Sequence, residues 1–194
     1  MHSSTLHVES TLLGSQIIIG ISGGIACYKT AFLVSTLVQM GAVVDVVMTE
    51  SASRFITPLT FESLTGRPVF DSPWKHVDGH EPQHIKLAQR ASAMLIAPCT
   101  MNMLAVLVNG MAHDPVSLVC SAIDRKHIPV LLAPSMNTTM LSQPATQRNL
   151  SFLAEDGFQI LDEEHGWQAC RAVGSGRMPE PETLLAALQS IFQT

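Results

Sequence analysis

A chain of 194 residues with 46% hydrophobic and 14% charged side chains is too apolar for a disordered segment, and it can bury roughly 70% of its extended surface without disulfide or metal staples. Its net charge of −5, with 16 acidic against 11 basic residues and no Lys/Arg-rich run, provides no field for a phosphate backbone and argues against nucleic acid as a partner. Four scattered cysteines, Cys27, Cys99, Cys120 and Cys170, form no C-x-x-C pair and read as reduced thiols of a cytoplasmic protein.

Residues 1–15, with their Ser, Thr and His, are expected as a loosely ordered lead-in to one domain spanning 16–194. The apolar run 17–25 contains three glycines, is too short to span a bilayer and follows no basic segment, so the chain is expected to be soluble, untargeted and without a membrane partner. Continuous apolar stretches at 16–22, 43–48, 94–97 and 129–133 have the character of strands covered on both faces. Between the first two, Leu33, Val34, Leu37 and Val38 form a stripe at helical spacing that Gly41 ends. Further helices are expected at 51–55, 58–64, 100–108, 115–125, 144–156 and 182–192. This alternation predicts a doubly wound, mostly parallel α/β sheet, a Rossmann-like or flavodoxin-like three-layer sandwich, whose ligands bind beyond the carboxyl ends of the strands. Segments 76–84 and 163–181, interrupted by glycine and proline, break the alternation and are not expected to be regular throughout.

The first strand leads through Gly20-Ile21-Ser22-Gly23-Gly24-Ile25-Ala26 into the first helix. Glycines there allow close backbone approach, and a helix N-terminus with free N–H groups receives a phosphate, with the Ser22 hydroxyl as a further donor. The spacing is neither G-x-G-x-x-G nor a P-loop, and the second strand ends in Met48-Thr49-Glu50 without the acidic ribose ligand of a dinucleotide site. A mononucleotide fits better, and a tight turn without ligand is the plain alternative. The third and fourth strands end in Pro98-Cys99-Thr100-Met101-Asn102 and Pro134-Ser135-Met136-Asn137. Their small hydroxyl and amide side chains suit a heteroaromatic ring or a carboxylate, unless Thr100 and Asn137 serve only as helix caps. His76, His80 and His84 recur every fourth residue, but Gly79 and Pro82 interrupt any common helical face, and no metal is expected. Cys170 lies in a glycine-rich loop beside Arg171 and Arg177, a poor core and a setting that favours a thiolate on a mobile lid, taken as 163–178.

Together these motifs resemble the homo-oligomeric flavin-containing cysteine decarboxylases, over about residues 16–188. The likeness rests on Gly20 to Ala26, Thr49-Glu50-Ser51-Ala52 followed by Phe55, His84-Ile85-Lys86-Leu87, Pro134-Ser135-Met136-Asn137, and Ala169-Cys170 followed by Gly174-Ser175-Gly176-Arg177-Met178. It implies FMN, held at Gly20, Ser22, Gly23 and Gly24 with contacts from Thr49, Ser51, Phe55, Pro98, Cys99, Thr100, Asn102 and Met136. It further implies His84 as catalytic base, Asn137 as carboxylate ligand and Cys170 as proton donor. The branch it is most similar to acts as a carboxy-lyase on 4′-phosphopantothenoylcysteine in coenzyme A biosynthesis, as a homotrimer or an assembly of trimers. Bacterial members often carry a synthetase domain downstream, which a lone chain of this length is expected to lack. Cys99, Met101 and Met103 depart from the family's usual Pro-Ala-Ser-Ala-Asn-Thr, and Arg171 stands where a glycine usually follows the lid cysteine. A peptidyl-cysteine decarboxylase needs no lid cysteine, a flavin prenyltransferase has no use for the His84, Asn137 and Cys170 set, and regulatory phosphatase-binding relatives often carry long acidic tails.

Overall fold

The four apolar runs become parallel strands β1 (Gln16–Ile21), β2 (Val43–Met48), β3 (Ala93–Cys99) and β4 (Val130–Pro134), and a short fifth strand that the sequence does not announce, β5 (Gln159–Ile160), joins them. They hydrogen-bond in the order β2-β1-β3-β4-β5. The computed structural model describes residues 11–74 and 82–193. Because successive residues of a strand face opposite sides, Ile17, Ile19 and Ile21 enter one core with Leu33, Val34 and Leu37 of helix α1 (Cys27–Gln39), Phe61 of α2 (Pro58–Thr65) and Leu184 and Leu188 of α8 (Pro181–Ile191). Ile18 enters the other core, with Leu87 of α3 (Gln83–Arg90), Leu104 of α4 (Met101–Val108), Val116 of α5 (Pro115–Ala122) and Leu153 of α7 (Pro144–Glu155). The result is the expected α/β sandwich of three layers, and no described helix is long and apolar enough to cross a membrane.

Four local differences have physical causes. The lead-in does not extend to Ser15, because Leu12 is fully buried in the first core and the Gly14 N–H reaches the Gly41 carbonyl at 2.9 Å. Residues 51–55 form only a short 3-10 turn, Ala52–Arg54. Helix α3 starts in the last two residues of the 76–84 stretch and runs on through residues for which no element is expected: Pro82 stands at its N-cap, where a missing N–H costs nothing, and only Leu87 and Ala88 are buried, too few apolar positions to declare a helix in sequence. About half of 163–181 is regular: β6 (Glu164–Trp167) and β7 (Val173–Arg177) pair as an antiparallel hairpin. Its glycines lower strand propensity in isolation, but here they let neighbours approach closely: Gly174 faces Thr138, and Gly176, at φ +113°, faces the Met136 carbonyl.

Asp45, 4% exposed on β2, fastens two connections at once. Its Oδ1 accepts from Arg67 Nε at 2.8 Å, just after α2, and from Arg90 Nη2 at 2.6 Å, at the end of α3. Replacing it leaves a half-buried guanidinium, that of Arg67, and an exposed one, that of Arg90, without this counter-charge. Asp45→Ala is therefore expected to lower the unfolding free energy by about 1–3 kcal/mol in a denaturant titration; an unchanged midpoint would show that water compensates both arginines.

Candidate active site

Strand β1 feeds α1 on one face of the sheet while its neighbour β3 feeds α4 on the other, and such a divergence opens a crevice at the carboxyl ends of the two strands. The crevice is braced by Ser22. Its hydroxyl donates to the Pro98 carbonyl at 2.7 Å and accepts the Thr100 N–H at 3.0 Å, while its own N–H reaches the same carbonyl at 3.2 Å. Above this brace lies a cavity of about 1390 Å³ that reaches from the β1–α1 turn to the β6–β7 hairpin, ample for a mononucleotide cofactor together with a small substrate.

One wall carries a row of unpaired backbone donors. The N–H groups of Gly23, Gly24, Ile25 and Ala26 make no hydrogen bond among the described residues, and the α1 N-cap has no side-chain partner. Such unsatisfied donors at a helix start suit a phosphate. Gly23 permits no side chain: a Cβ there would stand 2.6 Å from Ser51 Cβ and 2.7 Å from its backbone carbon. That approach brings the Thr49 and Ser51 hydroxyls, 3.0 Å apart, up to the turn. Ser22 differs from its expected part. It is 2% exposed, and its hydroxyl is committed to Pro98 and Thr100, so it shapes the turn instead of donating to an anion.

On the opposite wall, Asn137 and Thr100 are helix caps and also cavity residues. Asn137 Oδ1 accepts the Met140 N–H at 2.8 Å, which turns its amide nitrogen, with two donors, away from the cap. Thr100 Oγ1 accepts from the Met103 N–H at 3.3 Å. The hairpin is hung from this wall, since the Met136 N–H donates to the Gly176 carbonyl at 2.9 Å. At its base Lys29, 7% exposed, pairs with Glu180 Oε1 at 2.7 Å, and Arg177 reaches the same oxygen at 2.7 Å. Cys170 is exposed near the hairpin tip, where Arg171 adopts φ +64°.

Of the residues singled out in sequence, Ser22, Gly23, Gly24, Thr49, Ser51, Thr100, Asn102, Met136, Asn137 and Cys170 border the cavity. Five do not. Gly20 sits inside β1, where a Cβ would meet Val116 Cγ1 at 2.9 Å, so its smallness serves the packing of α5. Pro98, after a cis peptide bond, contributes its carbonyl to the Ser22 brace. Cys99 is wholly buried in the second core, Phe55 is 54% exposed outside the lining, and His84 is half-buried in the first turn of α3, likewise outside it. His76 and His80 lie outside the described residues. Sequence reasoning passed over Lys29, Trp74, His113, Trp167 and Gln168, all in the lining. Only Lys29 gave a usable signal, a cation beside an apolar helical stripe; the others occupy segments without periodicity.

The model of the family described as Flavoprotein matches residues 5–193. The chain belongs to the Flavoprotein family. This flavoprotein is 43% identical over 183 residues to the coenzyme A biosynthesis bifunctional protein CoaBC of Vibrio vulnificus, covering 94% of this chain and 45% of that one. The chain thus spans about half the length of the curated relatives it matches. Among solved structures it is similar to a PPC decarboxylase variant complexed with pantothenoylaminoethenethiol, with TM-score 0.82, 26% identity and coverage of 93% of this chain and 100% of the other. It is also similar to the FMN-dependent cysteine decarboxylase SpaF, with TM-score 0.79, 25% identity and coverage of 94% and 97%.

The thiols of the flavoprotein divide by environment. Burial raises Cys27, pushes Cys120 up to about 12 and, with Cys120 nearby, drives Cys99 higher still. A neutral alkylating reagent near pH 8 is expected to label Cys170 alone in the folded protein and all four cysteines after denaturation. Labelling of a second thiol in the native state would contradict the burial. Because the folded thiols hold their protons more tightly than the ordinary value of 9.0, their contribution to stability is complete below pH 9 and is lost as pH rises from 9 toward 12.

Proposed function

We propose that this flavoprotein catalyses FMN-dependent decarboxylation of 4′-phosphopantothenoylcysteine to 4′-phosphopantetheine, a carboxy-lyase step of coenzyme A biosynthesis in the cytoplasm. The observation that carries the reading is one cavity bordered by an anion cradle, an amide whose N–H donors are free of its cap, and an exposed thiol. The names of the relatives point the same way: one is a coenzyme A biosynthesis protein, and two solved neighbours are decarboxylases. In this reading residues 16–194 act as one flavoprotein domain and 163–178 as its lid.

The residues present fit FMN. The four unbonded N–H groups at 23–26 match the acceptor oxygens of one phosphate monoester, with Thr49 and Ser51 beside them, and Asn102, Thr100 and Met136 offer polar and apolar contacts for a ring. When bound, FMN supplies a reversible two-electron acceptor for the carbon that bears sulfur, which makes the adjacent carboxylate a competent leaving group. Asn137 then holds that carboxylate through uncharged N–H donors, so its charge is not stabilised against departure as carbon dioxide. His84 takes the thiol proton, a task suited to an imidazole nitrogen, which accepts a proton without a change of geometry. Cys170 returns a proton to the carbon that lost carbon dioxide. Overall one carbon dioxide leaves, one proton is taken up, and no external oxidant is consumed.

In the same reading the active unit is a homo-oligomer, a trimer or an assembly of trimers, in which His84 enters the cavity of a second copy. Support comes from His84 standing outside its own chain's cavity and from an exposed apolar strip that starts at the cavity and runs away from it: Ile25 and Tyr28 border the cavity at 60% and 63% exposure, and Phe32, at 59%, lies one turn along α1. Phe55 and Leu59, exposed at 54% and 68%, add to the apolar surface an oligomer would cover.

Two experiments bear on this. Chromatography of the chromophore released by acid is expected to yield one FMN per chain, and Gly23→Ala, whose Cβ displaces Ser51, is expected to weaken FMN binding by more than about tenfold; recovery of FAD, or a variant that keeps full affinity, would count against the cradle. His84→Asn and Cys170→Ser are each expected to fail in forming saturated product while retaining flavin, and subunit exchange between them to restore part of the activity. Restoration requires His84 and Cys170 of one site to come from different copies, so an inert mixture after demonstrated exchange would contradict the shared site.

A further inference from the structure

We infer that Gln168 is a positioning residue that locks the hairpin onto the Asn137 loop and so holds Cys170 over the cavity; this rests on the decarboxylase reading above. Gln168 is 6% exposed, among neighbours at 169–173 that are all exposed. An amide has two donors and an oxygen that accepts twice, and here every position is used. Nε2 donates to the Ser175 carbonyl at 2.7 Å and to Thr138 Oγ1 at 3.2 Å. Oε1 accepts from the Thr138 N–H at 3.4 Å and from the Cys170 thiol at 3.5 Å. Thr138 Oγ1 completes the ring by donating to the Ser175 carbonyl at 2.9 Å.

One side chain thus joins three parts of the proposed site: both strands of the hairpin, the residue after Asn137 and the thiol. Among the described residues the backbone supplies one further bond across this seam close by, from the Met136 N–H to the Gly176 carbonyl. A leucine of similar volume would fill the space but make none of these bonds. Gln168 touches no reacting atom in this assignment; it sets where Cys170 and Asn137 stand.

Gln168→Leu and Gln168→Glu in the FMN-loaded protein test this. Gln168→Leu is expected to lower hydrogen-exchange protection of the segment containing Met136 and Gly176 by at least about tenfold, the equivalent of one or two lost buried hydrogen bonds. It is also expected to raise the share of unsaturated enethiol released, because carbon dioxide loss precedes the need for the thiol. Gln168→Glu retains shape and the accepting oxygen but, when ionised, opposes a carboxylate to the Ser175 carbonyl. Its protection is expected to be low at about pH 8 and to recover toward about pH 5 as the acid regains a donor. The hairpin carries Glu164, His165, Cys170, Arg171 and Arg177, Lys29 and Glu180 stand at its base, and Thr138–Leu141 carries no titratable side chain. All of these remain in the wild type, so the difference between variant and wild type isolates the new carboxyl. Unchanged protection in Gln168→Leu, or a pH-independent Gln168→Glu, would overturn the assignment. If wild type fails to turn over the substrate, the decarboxylase reading falls while the exchange arms still report on the lock.

Discussion

The cavity exists because one hydroxyl holds two diverging strands together. Regular pairing of β1 with β3 ends at Gly20 and Ile96, and β3 shifts register before Cys99. Beyond that point the chains turn toward opposite faces, and one backbone bond, from the Ser22 N–H to the Pro98 carbonyl at 3.2 Å, carries the pairing on. The Ser22 hydroxyl fixes their separation with bonds to the Pro98 carbonyl and the Thr100 N–H, both protected from water by its burial. The α1 N-terminus and the Thr100 cap of α4 are thereby set at opposite sides of one opening. Gly23 extends the constraint to β2, since its missing Cβ admits Ser51.

The same economy governs the far wall. A helix cap is a local requirement of any chain leaving a strand, yet capping leaves half of an asparagine's polar capacity unspent. Asn137 spends its oxygen on Met140, and its nitrogen makes no hydrogen bond among the described residues. Thr138, next in line, ties the hairpin through Ser175. Capping and hairpin-tying bonds therefore stand on adjacent residues of this segment, and a substitution at one position reaches its neighbours.

Much of the fold was legible because fully buried parallel strands are continuous apolar runs, and 16–21, 43–48 and 130–133 stand out for that reason. The glycine turn and the polar strand ends were legible too, because their position relative to the strands identifies them. What escaped depends on partners distant in sequence. The hairpin's glycines read as an interruption of regular structure until Thr138 and Met136 are seen against them, and α3 shows too few buried positions to announce itself. Ser22 was read as a ligand donor because nothing local reveals that Pro98 and Thr100 would take its hydroxyl. Gln168 gave no signal at all, since a glutamine's worth depends on which four partners surround it.

The central claim, reversible oxidation of a cysteine-derived carboxylate in this cavity, is tested most directly by anaerobic mixing of the FMN-loaded protein with one equivalent of 4′-phosphopantothenoylcysteine, following flavin absorbance and released carbon dioxide together. The account predicts transient bleaching followed by full recovery, with one carbon dioxide and one 4′-phosphopantetheine formed per substrate. Carbon dioxide release without bleaching, or a flavin spectrum indifferent to the substrate, would contradict it.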